Sequence, residues 1–145
     1  MLGTPENGWV EIRIGAFSGW GSFIQDMPVL LLESFTRALS CGLPAEIWID
    51  KEGSRFLIRA HCATEIVAYR GTPETFRFAT DLRTLARELL CDLDRDWNFW
   101  LTWPLANRTG GMSKSELSDF LNRRAAHLTR LTQALACALE TEEIS

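Results

Sequence analysis

No cysteine in this 145-residue chain belongs to a C-x-x-C pair. Cys41, Cys62, Cys91 and Cys137 are scattered, and His61 and His127 have no paired metal-ligand spacing. Zinc-site and dithiol-redox signatures are therefore missing, and the thiols are expected to be reduced and mostly buried as small apolar groups. Glycines interleave with aromatics in Phe17-Ser18-Gly19-Trp20-Gly21-Ser22-Phe23. That stretch has neither G-x-x-x-x-G-K-[ST] nor G-x-G-x-x-G and no lysine in reach, so it reads as a loop pinned to a core rather than a phosphate cradle. Met1-Leu2-Gly3-Thr4-Pro5-Glu6 lacks a basic stretch followed by an apolar one, and a cytoplasmic location is the expectation. The longest near-apolar run, Met27 to Leu32, is far short of the roughly 20 residues that span a bilayer.

Positive charge is also scarce: 15 basic against 19 acidic residues leave a net charge of -4. That argues against a general binder of phosphate backbones, and neither nucleic acid nor membrane is an expected partner. Asp92, Asp94 and Asp96 alternate at a helix end but lack the downstream Gly and Glu of a calcium loop. No metal and no cofactor is expected.

What the chain has is the composition of a folded domain, 46% hydrophobic and 23% charged, at a length that buries a real core. We expect an α+β fold with a mostly antiparallel sheet of about five strands in the order β-α-β-β-β-β-α-α, packed with two to three helices. The expected single domain, 1–145, has its sheet and two helices to about residue 96. An aromatic segment (97–104), a loop (105–112) and a C-terminal helix (113–139) follow.

The sheet is centred on 45–79, where the runs Glu46 to Asp50, Arg55 to His61, Glu65 to Arg70 and Thr75 to Ala79 follow one another, with turns at Gly53-Ser54 and Gly71-Thr72-Pro73. Trp9 to Phe17 is one further strand. Strand parity assigns Ile47, Ile49, Phe56, Ile58, Phe76 and Phe78 to the core. Opposite them lie Glu46, Trp48, Leu57, Arg59, His61 and Arg77, with Glu11 and Arg13 from the first strand. The strand Glu65 to Arg70 is ambiguous, since Ile66 and Ala68 compete with Val67 and Tyr69. The outer face is either solvated and partly covered by a later segment, or a binding surface anchored by Arg, Trp and Tyr.

Helices are expected from Asp26-Met27-Pro28 to Cys41, stopped by Gly42 and Pro44, and from Thr80 or Asp81 to Leu93. Ser113-Lys114-Ser115-Glu116 is a capping box opening the last helix, with Arg123, Arg124 and Arg130 on its wet face and His127 beside the apolar stripe. Glu140 to Glu143 reads as a solvated, fraying tail. Trp97, Phe99, Trp100, Leu101 and Trp103 form the densest aromatic cluster. It is either a wedge sealing the sheet's second face or a surface for a partner or a second copy.

Catalytic signatures are missing: there is no specific nucleophile–base pair, paired carboxylates or cofactor cradle. His61 and Cys62 are adjacent, and on a strand they would point to opposite faces. A non-enzyme is the expectation.

The order strand, loop, helix, meander, helix resembles the WapI-like immunity proteins of bacterial polymorphic toxin systems. The similarity is carried by Glu11-Ile12-Arg13-Ile14, the aromatic-glycine loop, Leu32-Glu33-Ser34-Phe35 and Phe76-Arg77-Phe78-Ala79-Thr80-Asp81. It spans somewhat over half the chain and stops short of the Trp-rich segment and the last helix. The resemblance implies an inhibitor that binds a cognate toxin and blocks its active site or an essential surface. An acidic chain would associate faster with a basic toxin. On this reading Trp97, Trp100 and Trp103 are hydrophobic anchors and Asp92, Asp94 and Asp96 steer the partner. Two rival readings are a homodimeric structural or adaptor protein, and a small-ligand binder or hydrolase with a pocket lined by Arg59, His61 and Tyr69.

Overall fold

The computed structural model describes residues 1–51, 53–106 and 111–144. The fold is α+β with antiparallel strands and several helices, in an order that differs from the expected one. Strands β1 (Trp9–Ile14) and β2 (Phe17–Ser22) pair as a hairpin, and helix α1 (Met27–Cys41) follows. Strands β3 (Ala45–Lys51), β4 (Ser54–Ala60), β5 (Thr64–Arg70) and β6 (Thr72–Phe78) form a four-stranded meander in sequence order. Helices α2 (Leu82–Arg95), α3 (Trp97–Leu101) and α4 (Lys114–Ile144) complete the chain, with a 3-10 turn at Trp103–Leu105.

The aromatic-glycine stretch expected as a loop is strand β2. Its register with β1 sets Val10 against Gly21, Ile12 against Gly19 and Ile14 against Phe17, so these side chains share one face. The two inward glycines leave room for neighbours. A Cβ at Gly19 would lie 2.7 Å from the Phe56 ring, and one at Gly21 would collide with the Met27 methyl. The hairpin therefore lies against the inner face of the meander, where Phe17 meets the rings of Phe56 and Phe76 at 5.1 and 5.3 Å. Residues 1–3 run alongside β1, with Gly3 N–H donating to Glu11 O and Arg13 N–H to Met1 O, both at 2.8 Å.

The meander sorts its side chains as parity predicts. Ile47, Ile49, Phe56 and Ile58 are buried, while Phe76 and Phe78 are half-buried against the same core. The ambiguous strand resolves with Ile66 and Ala68 inward and Val67 and Tyr69 outward. Helix α1 sinks Met27, Leu31, Leu32, Phe35, Ala38 and Leu39 into this core and stops at Gly42, whose φ of +66° places it in the left-handed region that favours glycine. Helix α2 adds Leu82, Leu85, Ala86, Leu89 and Leu93, capped by Asp81, which accepts from Thr84 N–H at 2.8 Å. Ser113 accepts from Glu116 N–H at 3.1 Å, as the capping box requires. Helix α4 continues to Ile144, so the tail expected to fray is helical.

Several expectations need correction. Asp26 makes no side-chain cap on α1. Its carboxylate instead takes two hydrogen bonds from Arg124, at 2.9 and 3.0 Å, while Arg124 Nε donates to Trp100 O at 2.9 Å. Arg124 is consequently buried, not on a wet face. The four thiols are exposed rather than buried. His61 and Cys62 lie in a bend after β4 rather than on a strand, which brings Cys62 Sγ within 3.4 Å of His61 Nδ1. The loop expected at 105–112 includes residues 107–110, which lie outside the described residues.

Candidate functional site

Helix α1 packs against β3, and α2 and α4 pack on α1, in the one core that takes in the inward set Ile47, Ile49, Ile58 and Ile66. Among the described residues the opposite face stays open. Register arranges it in three rows that run across the strands. Glu46, Arg59, Glu65 and Arg77 form a row of alternating charge. Trp48, Leu57, Val67 and Thr75 form a central, largely apolar row, and Asp50, Arg55, Tyr69 and Pro73 form the third. Cross-strand neighbours in such rows sit about 4.5–5.5 Å apart at Cβ and interact directly.

The centre of this face is a cation held between two aromatics. The Arg55 guanidinium lies 4.7 Å from the Trp48 ring centroid and 5.6 Å from that of Tyr69, and the two rings are 5.7 Å apart. Arg55 has no carboxylate partner among the described residues, although Asp50 stands opposite it in register. The stack restrains a long side chain while leaving its N–H groups available, so a partner would meet an ordered cation. Trp48 is 40% exposed, and Leu57, Val67 and Tyr69 are half-buried around it.

The charged row is paired within the chain. Arg59 donates to Glu46 at 2.5 and 2.9 Å, and Arg77 donates to Glu65 at 3.0 Å. The Glu46 hydrogen bond, and then its charge, raises the Arg59 pKa above its ordinary value. At the free edge of β3, Gln25 occupies the place of a further strand: its amide donates to Trp48 O at 2.8 Å and accepts from Asp50 N–H at 2.9 Å. Pro73 and the charges Glu74 and Arg77 mark β6, the other edge, in a manner that discourages strand addition.

The residues singled out in the sequence are dispersed. Trp100 is fully buried and Trp103 is 2% exposed, with ring centroids 5.1 Å apart and the Trp103 indole N–H donating to Gln25 O at 2.9 Å. They are core side chains near the N-terminal end of α1 and do not cover the sheet's outer face. Trp97 is half-buried, and Phe99, at 53% exposure, is the accessible ring of the cluster. Asp92 accepts from Leu2 N–H at 2.8 Å and pairs with the Met1 amine and Arg95; Asp96 pairs with Arg95 and accepts from Thr4. Both carboxylates tie residues 1–4 to α2, leaving Asp94 exposed.

Arg59, His61 and Tyr69 do not gather into one pocket. Arg59 and Tyr69 stand in the first and third rows of the open face, whereas His61 lines a hollow of about 280 Å³ with Leu39, Cys62, Asp81 and Arg83. No cluster of three or more His, Cys, Asp or Glu able to hold a metal occurs among the described residues. No helix among them is long and apolar enough to cross a membrane. Sequence reasoning missed Arg55 as a member of the site. Strand parity was a partial signal, since it puts Arg55 on the same face as Leu57 and Arg59, but its place between Trp48 and Tyr69 depends on both the β3–β4 and β4–β5 registers. Comparison with protein-family models, with curated proteins and with solved structures finds no match for this chain.

Proposed function

We propose that this protein is a non-catalytic binding protein that docks a partner protein on the open face of its meander, and that the partner is a cognate toxin of the immunity type. The observation that carries the reading is the Trp48–Arg55–Tyr69 stack in the middle of an uncovered four-stranded face. Trp, Tyr and Arg are the side chains that most often dominate binding energy, above all when clustered near the centre of an interface. Leu57 and Val67 supply apolar area beside them, and the charge rows form a polar rim.

The resemblance to WapI-like immunity proteins supports the toxin as partner, because the elements that carry it, β1, β2, α1 and β6 into α2, are the scaffold around this face. The acidic balance of -4 favours encounter with a basic protein. The anchor role expected of Trp97, Trp100 and Trp103 passes to Trp48 and Tyr69, and the steering role of the acidic triplet to the chain's overall charge. A cytoplasmic inhibitor acting by occlusion needs no cofactor.

The test is neutralisation. Co-expression with a toxin that co-purifies with this chain should restore growth of the host cell, and Trp48→Ala with Tyr69→Ala should abolish that rescue while the variant stays folded. Full rescue by a folded double variant would remove the open face from the account.

A further inference from the structure

The open face is complementary to itself. Consider two copies set face to face about a two-fold axis parallel to the strands and midway between β4 and β5. Position along the strands is kept, while β3 of one copy meets β6 of the other and β4 meets β5. Read through the observed register, Glu46 then faces Arg77 and Arg59 faces Glu65, each twice by symmetry. Leu57 faces Val67, Trp48 faces Thr75, and Arg55 faces Tyr69. The charged row meets opposite charge and the central row meets apolar or neutral side chains, which is the condition of an isologous interface, while at the ends of the third row Asp50 faces Pro73.

The alternative axis fails. A two-fold running across the strands would set Glu46 against Asp50 and Arg59 against Arg55, two like-charge contacts each repeated by symmetry. Like charges juxtaposed in an interface repel one another in a medium poor in water, which disfavours that arrangement. The charge pattern therefore selects one orientation of a second copy.

Size allows this use only when the whole face is engaged. Four strands about 4.8 Å apart and seven residues at about 3.4 Å per residue give a footprint of roughly 19 by 24 Å. The relief of Trp48, Arg55, Arg59, Tyr69 and Arg77 adds to that projected area. The whole face is needed to approach the ~800 Å² that each partner covers in a stable complex.

We infer that a second copy of this chain occupies the open face in the absence of another partner, forming a two-fold dimer through the rows Glu46–Arg59–Glu65–Arg77 and Trp48–Leu57–Val67–Thr75. The dimer shares with the proposed function the premise that this face is an interface. The two uses exclude one another, so a toxin would displace the second copy.

Analytical ultracentrifugation of the purified chain across the micromolar range tests it without any toxin present. Two variants give each row a single sign: Arg59→Glu with Arg77→Glu, and Glu46→Arg with Glu65→Arg. The wild type should sediment with twice the monomer mass, and each variant alone should self-associate at least about tenfold more weakly. An equimolar mixture of the two should regain a dimer of one copy of each. Circular dichroism reports whether they fold, and Leu57→Glu, outside the charge row, is the second disruption. A monomeric wild type throughout the range, or row and Leu57 variants that dimerise as tightly as it does, would overturn the dimer. Neither result bears on toxin neutralisation, which is read in cells.

Discussion

Arg124 shows how one side chain can join distant parts of the chain. Its guanidinium links Asp26 at the start of α1 to the Trp100 carbonyl, with 7% of its side chain exposed. Arg124→Met should cost about 2 kcal/mol in urea unfolding, less than the roughly 3–5 kcal/mol of a wholly buried pair because Asp26 remains 40% exposed. Nothing in the α4 pattern marked this arginine, since helical spacing assigns a residue to a face but not to a carbonyl 24 positions away. Asp81 was legible as a cap because the evidence for it is local. The hydrogen bonds from Thr84 lower its pKa below the ordinary carboxylate value. A depressed folded-state pKa adds stability that is present above the unfolded-state pKa and lost as pH falls through the folded one. Asp81→Ala should therefore cost about 1 kcal/mol at neutral pH. The gap between variant and wild type should close on acidification through the carboxylate range, as measured by urea unfolding at several pH values.

Among the elements, β2 was the one the sequence concealed. Strand reading depends on apolar alternation, and two of the three inward positions that β2 sets against the β1 core residues are glycines, which add nothing to such a pattern. Their role is close approach, visible once Phe56 and Met27 are in place. Gly19→Ala should destabilise by about 2 kcal/mol, because its Cβ meets the Phe56 ring and also lies 3.0 Å from Phe17. Gly21→Ala should cost under about 1 kcal/mol, because the Met27 methyl it meets ends a flexible side chain. Thermal unfolding of both variants checks the order. The meander, α1, α2 and α4 were legible because their periodicity, stop signals and caps agree with one another. The Trp-rich segment was legible as apolar but not in its placement: a wedge was foreseen over the outer face, and α3 with the following turn instead seals the core near Gln25.

At the scale of the molecule, a core built against one side of the meander leaves a face whose composition is the main clue to use. Strand parity made most of that face readable, including Trp48, Leu57, Arg59 and Arg77. The Trp48–Arg55–Tyr69 stack was not readable, because it requires both the β3–β4 and β4–β5 registers. Aromatics on the solvent-facing side of a sheet contribute little to a fold, so Trp48→Ala with Tyr69→Ala should leave unfolding free energy within about 1 kcal/mol of wild type. Binding, in contrast, should be lost. The most direct measurement is size-exclusion chromatography with light scattering of the tagged chain purified together with the toxin proposed as its partner, run beside the Trp48→Ala, Tyr69→Ala variant. The account predicts a complex of defined stoichiometry for the wild type and separate elution of the folded variant. A complex of unchanged mass and yield with the variant would contradict the claim that the open face of the meander is the binding surface.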